Sequence, residues 1–177
     1  MILVTGGLGF LGAHTVRALV GFGRPCVIVA RRTAPLPAQL DGLGDQIVLE
    51  RADCAVEQAM RTIGERHEIT GIVHLAAPAP APPAARAGFV RTSIDTLLAV
   101  LQVARDRHVS RVSVASSLGV YQGVADTPYR EDAPLPQLPL DPLDITRLRE
   151  DVRYTPEYDL DRGVAEYVTW LRAGHQY

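Results

Sequence analysis

Short apolar runs alternate with longer amphipathic stretches along this chain. The apolar runs are rich in Val, Ile and Leu, which is typical of buried strands in a parallel sheet. The pattern predicts five strands, at residues 2–4, 26–30, 46–50, 71–77 and 109–115. The range 71–77 includes the residues by which the chain leaves the fourth strand. Because helical stretches separate the strands, we expect a doubly wound α/β domain. Its parallel strands are predicted in the order 3-2-1-4-5, with helices on both faces of the sheet.

Four segments carry apolar residues at helical spacing. They are residues 10–22, 55–67, 88–108 and 163–174. Residues 33–44 are rich in proline, glycine and small side chains, so a surface loop is predicted there. The last helix is predicted to bury an apolar stripe, formed by Val164, Tyr167, Val168 and Leu171.

The first predicted strand runs directly into a glycine turn. Gly6, Gly9 and Gly12 follow it at three-residue spacing, and a helix is predicted to begin near Phe10. This spacing provides a tight turn, a close backbone approach to a pyrophosphate, and close packing of the helix on the strand. The N–H groups at the start of the helix, from Phe10 to Gly12 and including Leu11, would face the phosphates. A strand-turn-helix without a ligand is the alternative, and the order of elements favours the dinucleotide site.

Two arginines follow the second predicted strand. An acidic residue at this position usually binds the ribose 2′-hydroxyl of NAD, whereas arginine suits the 2′-phosphate of NADP. Ala30 stands where the acid is expected, and Arg31 and Arg32 come next. The sequence therefore favours NADP, with NAD as the second choice. The alternative is that both arginines only line a solvated loop.

The composition and charge of the chain bear on its expected partners and cellular location. The 177 residues are 47% hydrophobic with a formal net charge of −2, which suits a domain with a real core. That charge suggests neither a nucleic acid nor an anionic membrane surface as a partner, and we expect no stretch long enough to cross a bilayer. Cys26 and Cys54 are too few for a disulfide framework, so a cytoplasmic location is expected.

The run Thr5-Gly6-Gly7-Leu8-Gly9-Phe10-Leu11-Gly12 resembles the TGGxGFxG opening of the extended short-chain dehydrogenase/reductases. These are NAD(P)-dependent epimerases, dehydratases and reductases of the sugar-nucleotide type. The resemblance implies a nucleotide-sugar substrate and hydride transfer between a hydroxyl or carbonyl carbon and a nicotinamide. Family members are commonly dimers through the helices that flank the fourth and fifth strands, so residues 88–108 are a candidate dimer surface.

Two further elements resemble the same family. Ala52-Asp53-Cys54 is similar to an element in which the aspartate hydrogen-bonds the adenine. The equal alternative is that Asp53 caps a helix that begins near Ala55. Val73-His74-Leu75-Ala76-Ala77 resembles the VxHLAA element, whose small residues let the backbone run beside the cofactor. Leu75, Ala76 and Ala77 are therefore expected at the cofactor.

His74 is a tempting acid or base, but it lies inside a predicted buried strand. No partner carboxylate and no metal-type spacing accompany it, so a hydrogen-bonded core histidine is the favoured interpretation and no metal site is predicted.

The end of the fifth strand is the expected place for chemistry, since ligands of open α/β sheets bind outside the carboxyl ends of strands. Ser116 to Tyr121 follows it and resembles the family's SSxxVYG. Ser117 matches the hydroxyl that hydrogen-bonds the reacting substrate oxygen. The alternative is that both serines close a turn.

Family catalysis needs a Tyr-x-x-x-Lys pair, in which lysine holds the ribose and lowers the tyrosine pKa. All 18 basic side chains of this chain are arginine, so no such pair exists in it. Tyr158 and Arg162 form a Tyr-x-x-x-Arg, but they stand in a segment that resembles the extreme C-terminus of the family.

The resemblance implies that a block is missing between about Gln137 and Pro142, which in the family carries the tyrosine helix and most of the substrate domain. An internal deletion, a compact variant with another task, and a longer chain of which these residues are only parts all fit this pattern. We expect residues 1–137 to form the dinucleotide-binding domain and residues 138–177 a helical remnant of the substrate-binding region. Two functions remain open: an NAD(P)-dependent enzyme, and a dinucleotide-binding module that works without catalysis or through a partner.

Overall fold

The computed structural model describes residues 1–32, 35–78, 86–117 and 160–172. Helices separate its strands, as the sequence pattern predicts, except that a loop joins the second strand to the third. In chain order they are β1 (Ile2–Thr5), α1 (Phe10–Gly21), β2 (Cys26–Ala30), β3 (Ile47–Arg51), α2 (Glu57–Arg66), β4 (Gly71–His74), α3 (Arg86–Asp106), β5 (Val112–Val114) and α4 (Leu160–Arg172). Two short 3-10 turns, Ala38–Leu40 and Gly44–Gln46, precede β3.

The five strands form one parallel sheet in the order β3-β2-β1-β4-β5. This confirms the predicted doubly wound topology. The central strand β1 pairs with β2 on one side and with β4 on the other, so that Thr5 lies opposite both Val29 and His74. The carboxyl ends of these strands therefore meet at one edge of the sheet, beside the glycine turn.

Helices cover both faces of the sheet, also as predicted. Because side chains alternate along a strand, Leu3 and Val4 of β1 face opposite layers. Leu3 packs with buried residues of α2 and α3, among them Met60, Ile63 and Val100. Val4 packs with the buried face of α1 and with Leu40. The sheet thus has one hydrophobic core on each side.

Several element ends differ from the sequence prediction. α2 begins at Glu57 rather than at Ala55, because Asp53 and Val56 close a turn before it. β5 is shorter than residues 109–115, since the Val109 N–H donates to the Ala104 carbonyl and ends α3 instead of pairing in the sheet. These ends depend on local hydrogen bonds that apolar periodicity does not reveal.

The packing of the backbone divides the chain into two compact units. One comprises Met1–Ala115 with Glu166–Tyr177, and the other comprises Ser116–Ala165. Within the first unit, Glu166 accepts a hydrogen bond from Gln39, with 3.5 Å between Nε2 and Oε1, and its Oε1 lies 3.3 Å from His14 Nε2. The expected domain boundary at residue 137 lies outside the described residues.

The stripe predicted on the last helix is not buried throughout. Val164 is about half exposed. An amphipathic face is buried only where another element covers it, and the sequence does not show where the covering element ends.

One helix among the described residues, Ala87–Asp106, is long and apolar enough to span a membrane by length and composition. The expectation that no such stretch exists is therefore wrong by that criterion. A mostly buried core helix meets the same criterion, but only 22% of the apolar window of this helix is buried. Here Ala99, Val100 and Val103 of α3 belong to the core beneath the sheet.

Candidate functional site

The glycine turn brings three backbone segments into direct contact. Gly6 has φ +71°, a left-handed conformation that side chains disfavour, and its carbonyl accepts the Gly9 N–H at 3.0 Å. A Cβ at Gly12 would overlap the Gly6 carbonyl oxygen and lie 2.6 Å from the Cα of Gly7. The first helical turn therefore packs on the end of β1 at a distance that only glycine permits.

The N-terminus of α1 has the properties of an anion site. Gly9 occupies the N-cap position and has no side chain to cap the helix, and no acidic residue lies in the first turn. The N–H groups of a first helical turn lack intrahelical partners and carry the positive end of the helix dipole. Backbone donors at Leu11 and Gly12 are thus suited to a phosphate, which is the role that the sequence predicted for them.

The exit of β4 lies against this turn. A Cβ at Gly6 would be 2.8 Å from the Ala76 nitrogen and 2.9 Å from the Leu75 carbonyl carbon. The Leu75 N–H also donates to the Thr5 carbonyl at 3.1 Å. The structure therefore brings the predicted residues Leu75 and Ala76 together with the glycine turn, and exposed Ala77 follows them.

His74 is a core histidine, as predicted. It is 5% exposed, and its Nδ1 lies 2.7 Å from the Thr5 hydroxyl oxygen. Burial lowers the pKa of His74 below its ordinary value of 6.5, because the imidazolium loses hydration. The neutral ring suits a buried hydrogen bond and does not suit a charge-bearing catalytic role.

Arg31 and Asp53 lie together at the ends of β2 and β3. Arg31 Nη1 is 3.8 Å from Asp53 Oδ2, and the Arg31 side chain is 61% exposed. Such an exposed ion pair is weak, so little free energy is lost if the guanidinium turns to a phosphate. Arg32 is exposed beside it.

Asp53 does not cap α2. Its Oδ1 accepts the Ala55 N–H at 3.0 Å in a tight turn, and Val56 occupies the N-cap of the helix. The capping alternative for Asp53 is therefore wrong, and its contact with adenine stays a prediction. Burial and then the Asp53 charge raise the pKa of the neighbouring Cys54 thiol, which favours an uncharged side chain there.

The predicted substrate-side residue Ser117 is exposed and follows β5 by three positions. Its role stays a prediction. Tyr158 lies outside the described residues, so the Tyr158–Arg162 pair stays a prediction too.

The sequence did not single out Thr5 by itself. Its side chain is fully buried, and its hydroxyl accepts the Ala76 N–H at 3.2 Å. A signal was present, since Thr5 is the one polar residue in an otherwise apolar strand directly before the turn.

A family model confirms the resemblance. Residues 2–148 match the NAD dependent epimerase/dehydratase family. The chain belongs to this family. The match includes the glycine turn, the β4 exit and the Ser117 segment.

Curated relatives and solved structures agree with that assignment. A UDP-glucose 4-epimerase of Azospirillum brasilense is 26% identical over 153 residues, which is 83% of this chain and 41% of the relative. Another from Neisseria gonorrhoeae is 31% identical over 140 residues, or 74% of this chain and 40% of the relative. The crystal structure of UDP-glucose 4-epimerase from Bifidobacterium longum, in complex with NAD⁺ and UDP, superposes with a TM-score of 0.68 at 23% identity. It covers 76% of this chain and 42% of that chain.

This chain thus spans about two fifths of the length of these two relatives. Its described part contains the sheet, the glycine turn and the β4 exit.

Proposed function

We propose that this chain binds a nicotinamide dinucleotide, with the pyrophosphate on the glycine turn at the N-terminus of α1. The observation that carries the proposal is the contact of three glycines and the β4 exit around an uncapped helix N-terminus. Close backbone packing there leaves main-chain donors, rather than side chains, to meet the ligand. When bound, the cofactor would supply hydride acceptance and donation at its nicotinamide ring.

We propose NADP as the preferred form and NAD as the second choice. Arg31 and Arg32 follow β2, where an acidic residue would favour the ribose hydroxyl of NAD. The weak pairing between Arg31 and Asp53 leaves the guanidinium able to bind a 2′-phosphate. NAD⁺ in the Bifidobacterium longum structure is the reason to test both cofactors.

The test is a titration of the chain with NADPH and with NADH, followed by nicotinamide fluorescence. We expect NADPH to bind more tightly. Arg31→Ala should weaken NADPH binding by roughly tenfold or more, the size of a lost charge-assisted hydrogen bond, and leave NADH binding almost unchanged.

Arg24→Ala is the matched control, since Arg24 is an exposed arginine at the opposite end of β2. It should leave both affinities unchanged. Failure to bind either cofactor would remove the proposed function, and tighter binding of NADH would reverse the assignment of Arg31.

We propose that the whole protein acts on a nucleotide sugar, as an epimerase, dehydratase or reductase. Family membership and the position of Ser117 after β5 support this reaction class. The tyrosine and lysine that the reaction needs would have to lie outside these residues or come from a partner. Incubation with UDP-glucose and NADP⁺ or NAD⁺, followed by proton NMR of the sugar, separates the two functions, because an epimerase or dehydratase returns the hydride and leaves no net reduction of the cofactor. A cofactor that binds while the sugar stays unchanged supports the non-catalytic module.

We also propose that the chain forms a homodimer through α3. Val90, Ile94, Leu98 and Leu101 recur about once per helical turn on its outer side, and Leu98 is 58% exposed. A continuous apolar ridge opposite the buried face of the same helix suits pairing with the same ridge of a second copy. Sedimentation at micromolar concentration should show a species of twice 19.2 kDa. A monomer at all concentrations would contradict the dimer.

Both cysteines are free, Cys26 is buried, and burial raises the pKa of its thiol to about 11. We propose a cytoplasmic location, with which a reduced, unreactive thiol is compatible.

A further inference from the structure

A buried chain of hydrogen bonds links the end of β1 to the exit of β4. The Thr5 hydroxyl accepts the Ala76 N–H at 3.2 Å and lies 2.7 Å from His74 Nδ1. Thr5 and His74 are also register partners on adjacent strands. We call these three residues the Thr5 clasp. It connects the end of β1, directly before the glycine turn, to the end and exit of β4.

The donor roles in the clasp follow from hydrogen counting. A threonine hydroxyl has one hydrogen, and its oxygen already accepts the Ala76 N–H. The hydroxyl hydrogen is therefore available to His74 Nδ1, which accepts it when the imidazole is neutral and carries its hydrogen on Nε2. The Thr5 hydroxyl, the Ala76 N–H and His74 Nδ1 are then all paired.

Protonation of His74 disrupts this arrangement. Nδ1 would become a donor and would point a second hydrogen at the Thr5 oxygen. The hydroxyl hydrogen would then have to find another acceptor in a site where Thr5 is fully buried. An unsatisfied buried donor is unfavourable, so the clasp favours the neutral ring.

The clasp also fixes the geometry of the candidate cofactor site. The gap between Gly6 and Ala76 is so small that a single added Cβ would lie 2.8 Å from the Ala76 nitrogen. A change in the Thr5–Ala76 hydrogen bond therefore moves the β4 exit relative to the glycine turn. These are the two segments that would flank a bound dinucleotide.

We propose that Thr5 is a positioning residue for dinucleotide binding and that it holds the β4 exit in place only while His74 is neutral. This inference rests on the proposed dinucleotide function. Its consequence is an affinity that falls as the pH drops and His74 takes up a proton.

Burial, and not a charged neighbour, accounts for the neutral state of His74. Thr5 on β1 and Val114 on β5 are its neighbours in the sheet, and the Ala115 N–H donates to its carbonyl. Within residues 1–32, 35–78, 86–117 and 160–172, His74 forms no ion pair that would hold a proton on the ring.

The first experiment needs no cofactor. Nitrogen-15 NMR of the His74 ring reports its tautomer and its titration directly. We expect the Nε2–H tautomer at pH 7.5 and a titration midpoint below 6.5, while the Ala76 amide resonance shifts with the same midpoint. An Nδ1–H tautomer, or a midpoint at or above 6.5, would overturn the clasp whether or not a dinucleotide binds.

The second experiment measures NADP⁺ and NAD⁺ affinity by calorimetry between pH 5.5 and 8. Thr5→Val removes the hydroxyl and keeps the shape, so we expect a loss of about tenfold at pH 8. Thr5→Ser restores the hydroxyl and should restore most of the affinity. Thr62→Val is the control, because Thr62 is an exposed residue of α2 whose hydroxyl donates to the Gln58 carbonyl of its own helix.

His74→Asn tests the pH dependence. The asparagine amide oxygen can accept the Thr5 hydrogen where Nδ1 did, and it does not titrate. We expect this variant to keep affinity at pH 8 and to lose less affinity than the wild type at pH 5.5. Comparison at equal pH removes the contribution of the 2′-phosphate, which titrates near pH 6 as phosphate monoesters do. His67→Asn, at the histidine that contacts Glu50, should retain the wild-type pH dependence.

The outcomes separate the two proposals. If the NMR result holds and neither dinucleotide binds, the proposed function fails and the positioning role fails with it, while the hydrogen-bond chain stands. If a dinucleotide binds and His74→Asn follows the wild-type pH profile, the positioning role is wrong and the proposed function stands. If Thr5→Val does not fold, His74→Asn and the NMR titration decide the result.

Discussion

At the glycine turn, backbone segments pack closely at single residues because those residues have no side chain. Gly12 is buried, and a Cβ there would collide with backbone atoms of Gly6 and Gly7, neither of which can rotate away. Gly21 lies in the same helix, yet a Cβ there would meet nothing within 4 Å. Packing thus requires glycine at Gly12 and does not require it at Gly21.

We expect Gly12→Ala to destabilise the fold by roughly 2–3 kcal/mol, since an overpacked core site forces the backbone to shift. Gly21→Ala is the matched control and should stabilise the fold by roughly 0.5–1 kcal/mol, because alanine is the better helix former. Urea unfolding followed by circular dichroism measures both. Equal midpoints for the two variants would contradict the contact at Gly12.

Much of the residue-level site was readable from the sequence. The glycines, Leu75 and Ala76 were predicted at the cofactor, and the structure brings them together. The choice between two roles for Asp53 was not readable, because the turn that it closes depends on the backbone path from Asp53 to Ala55. Spacing alone treats an Asx turn and a helix cap alike.

At the scale of elements, the contact between β3 and the end of α2 depends on one carboxylate. Glu50 lies on the edge strand, and only 15% of its side chain is exposed. Its two oxygens contact Arg66 Nη2 at 2.8 Å and His67 Nε2 at 2.7 Å. The carboxylate thus ties the last turn of α2, and the residue after it, to the sheet.

We expect Glu50→Gln to lower the free energy of unfolding by about 1 kcal/mol, since it weakens two hydrogen bonds at a largely buried carboxylate. Glu57→Gln is the control. Glu57 pairs with Arg61 at 3.9 Å on the exposed side of α2, and that pair should contribute no more than about 0.5 kcal/mol. Thermal unfolding of both variants gives the comparison, and equal losses would refute the special position of Glu50.

Apolar periodicity located the strands and helices of the described residues but not all their ends. The pattern predicted residues 109–111 as strand, whereas Val109 completes the hydrogen bonds of α3. A run of apolar residues favours burial, and burial is available both in a strand and at a helix end. The distinction is made by hydrogen-bond partners.

At the scale of the whole molecule, the predicted strand order is confirmed, and α3 presents two apolar sides. One side packs into the core through Ala99, Val100 and Val103. The other side carries the exposed ridge that includes Ile94 and Leu98. A helix with apolar residues on both sides needs a second covering surface, which the proposed dimer supplies.

We expect Leu98→Glu to convert the dimer to a monomer, because two buried carboxylates would face each other across the symmetry axis. Phe22→Glu is the control, since Phe22 is 82% exposed at the end of α1 and away from the ridge. Sedimentation velocity distinguishes the two states. A Leu98→Glu protein that remains dimeric would exclude α3 as the interface.

The sequence by itself determined the order of strands and helices, the glycine turn and the family, because these depend on local periodicity and on residues close together in the chain. Only the tertiary structure decided what the turn contacts. Thr5 and His74 are separated by 69 positions, and Thr5 and Ala76 by 71. Their hydrogen bonds exist because β1 and β4 are neighbours in the sheet, and that adjacency places a buried threonine, rather than a charged group, between the glycine turn and the loop beside it.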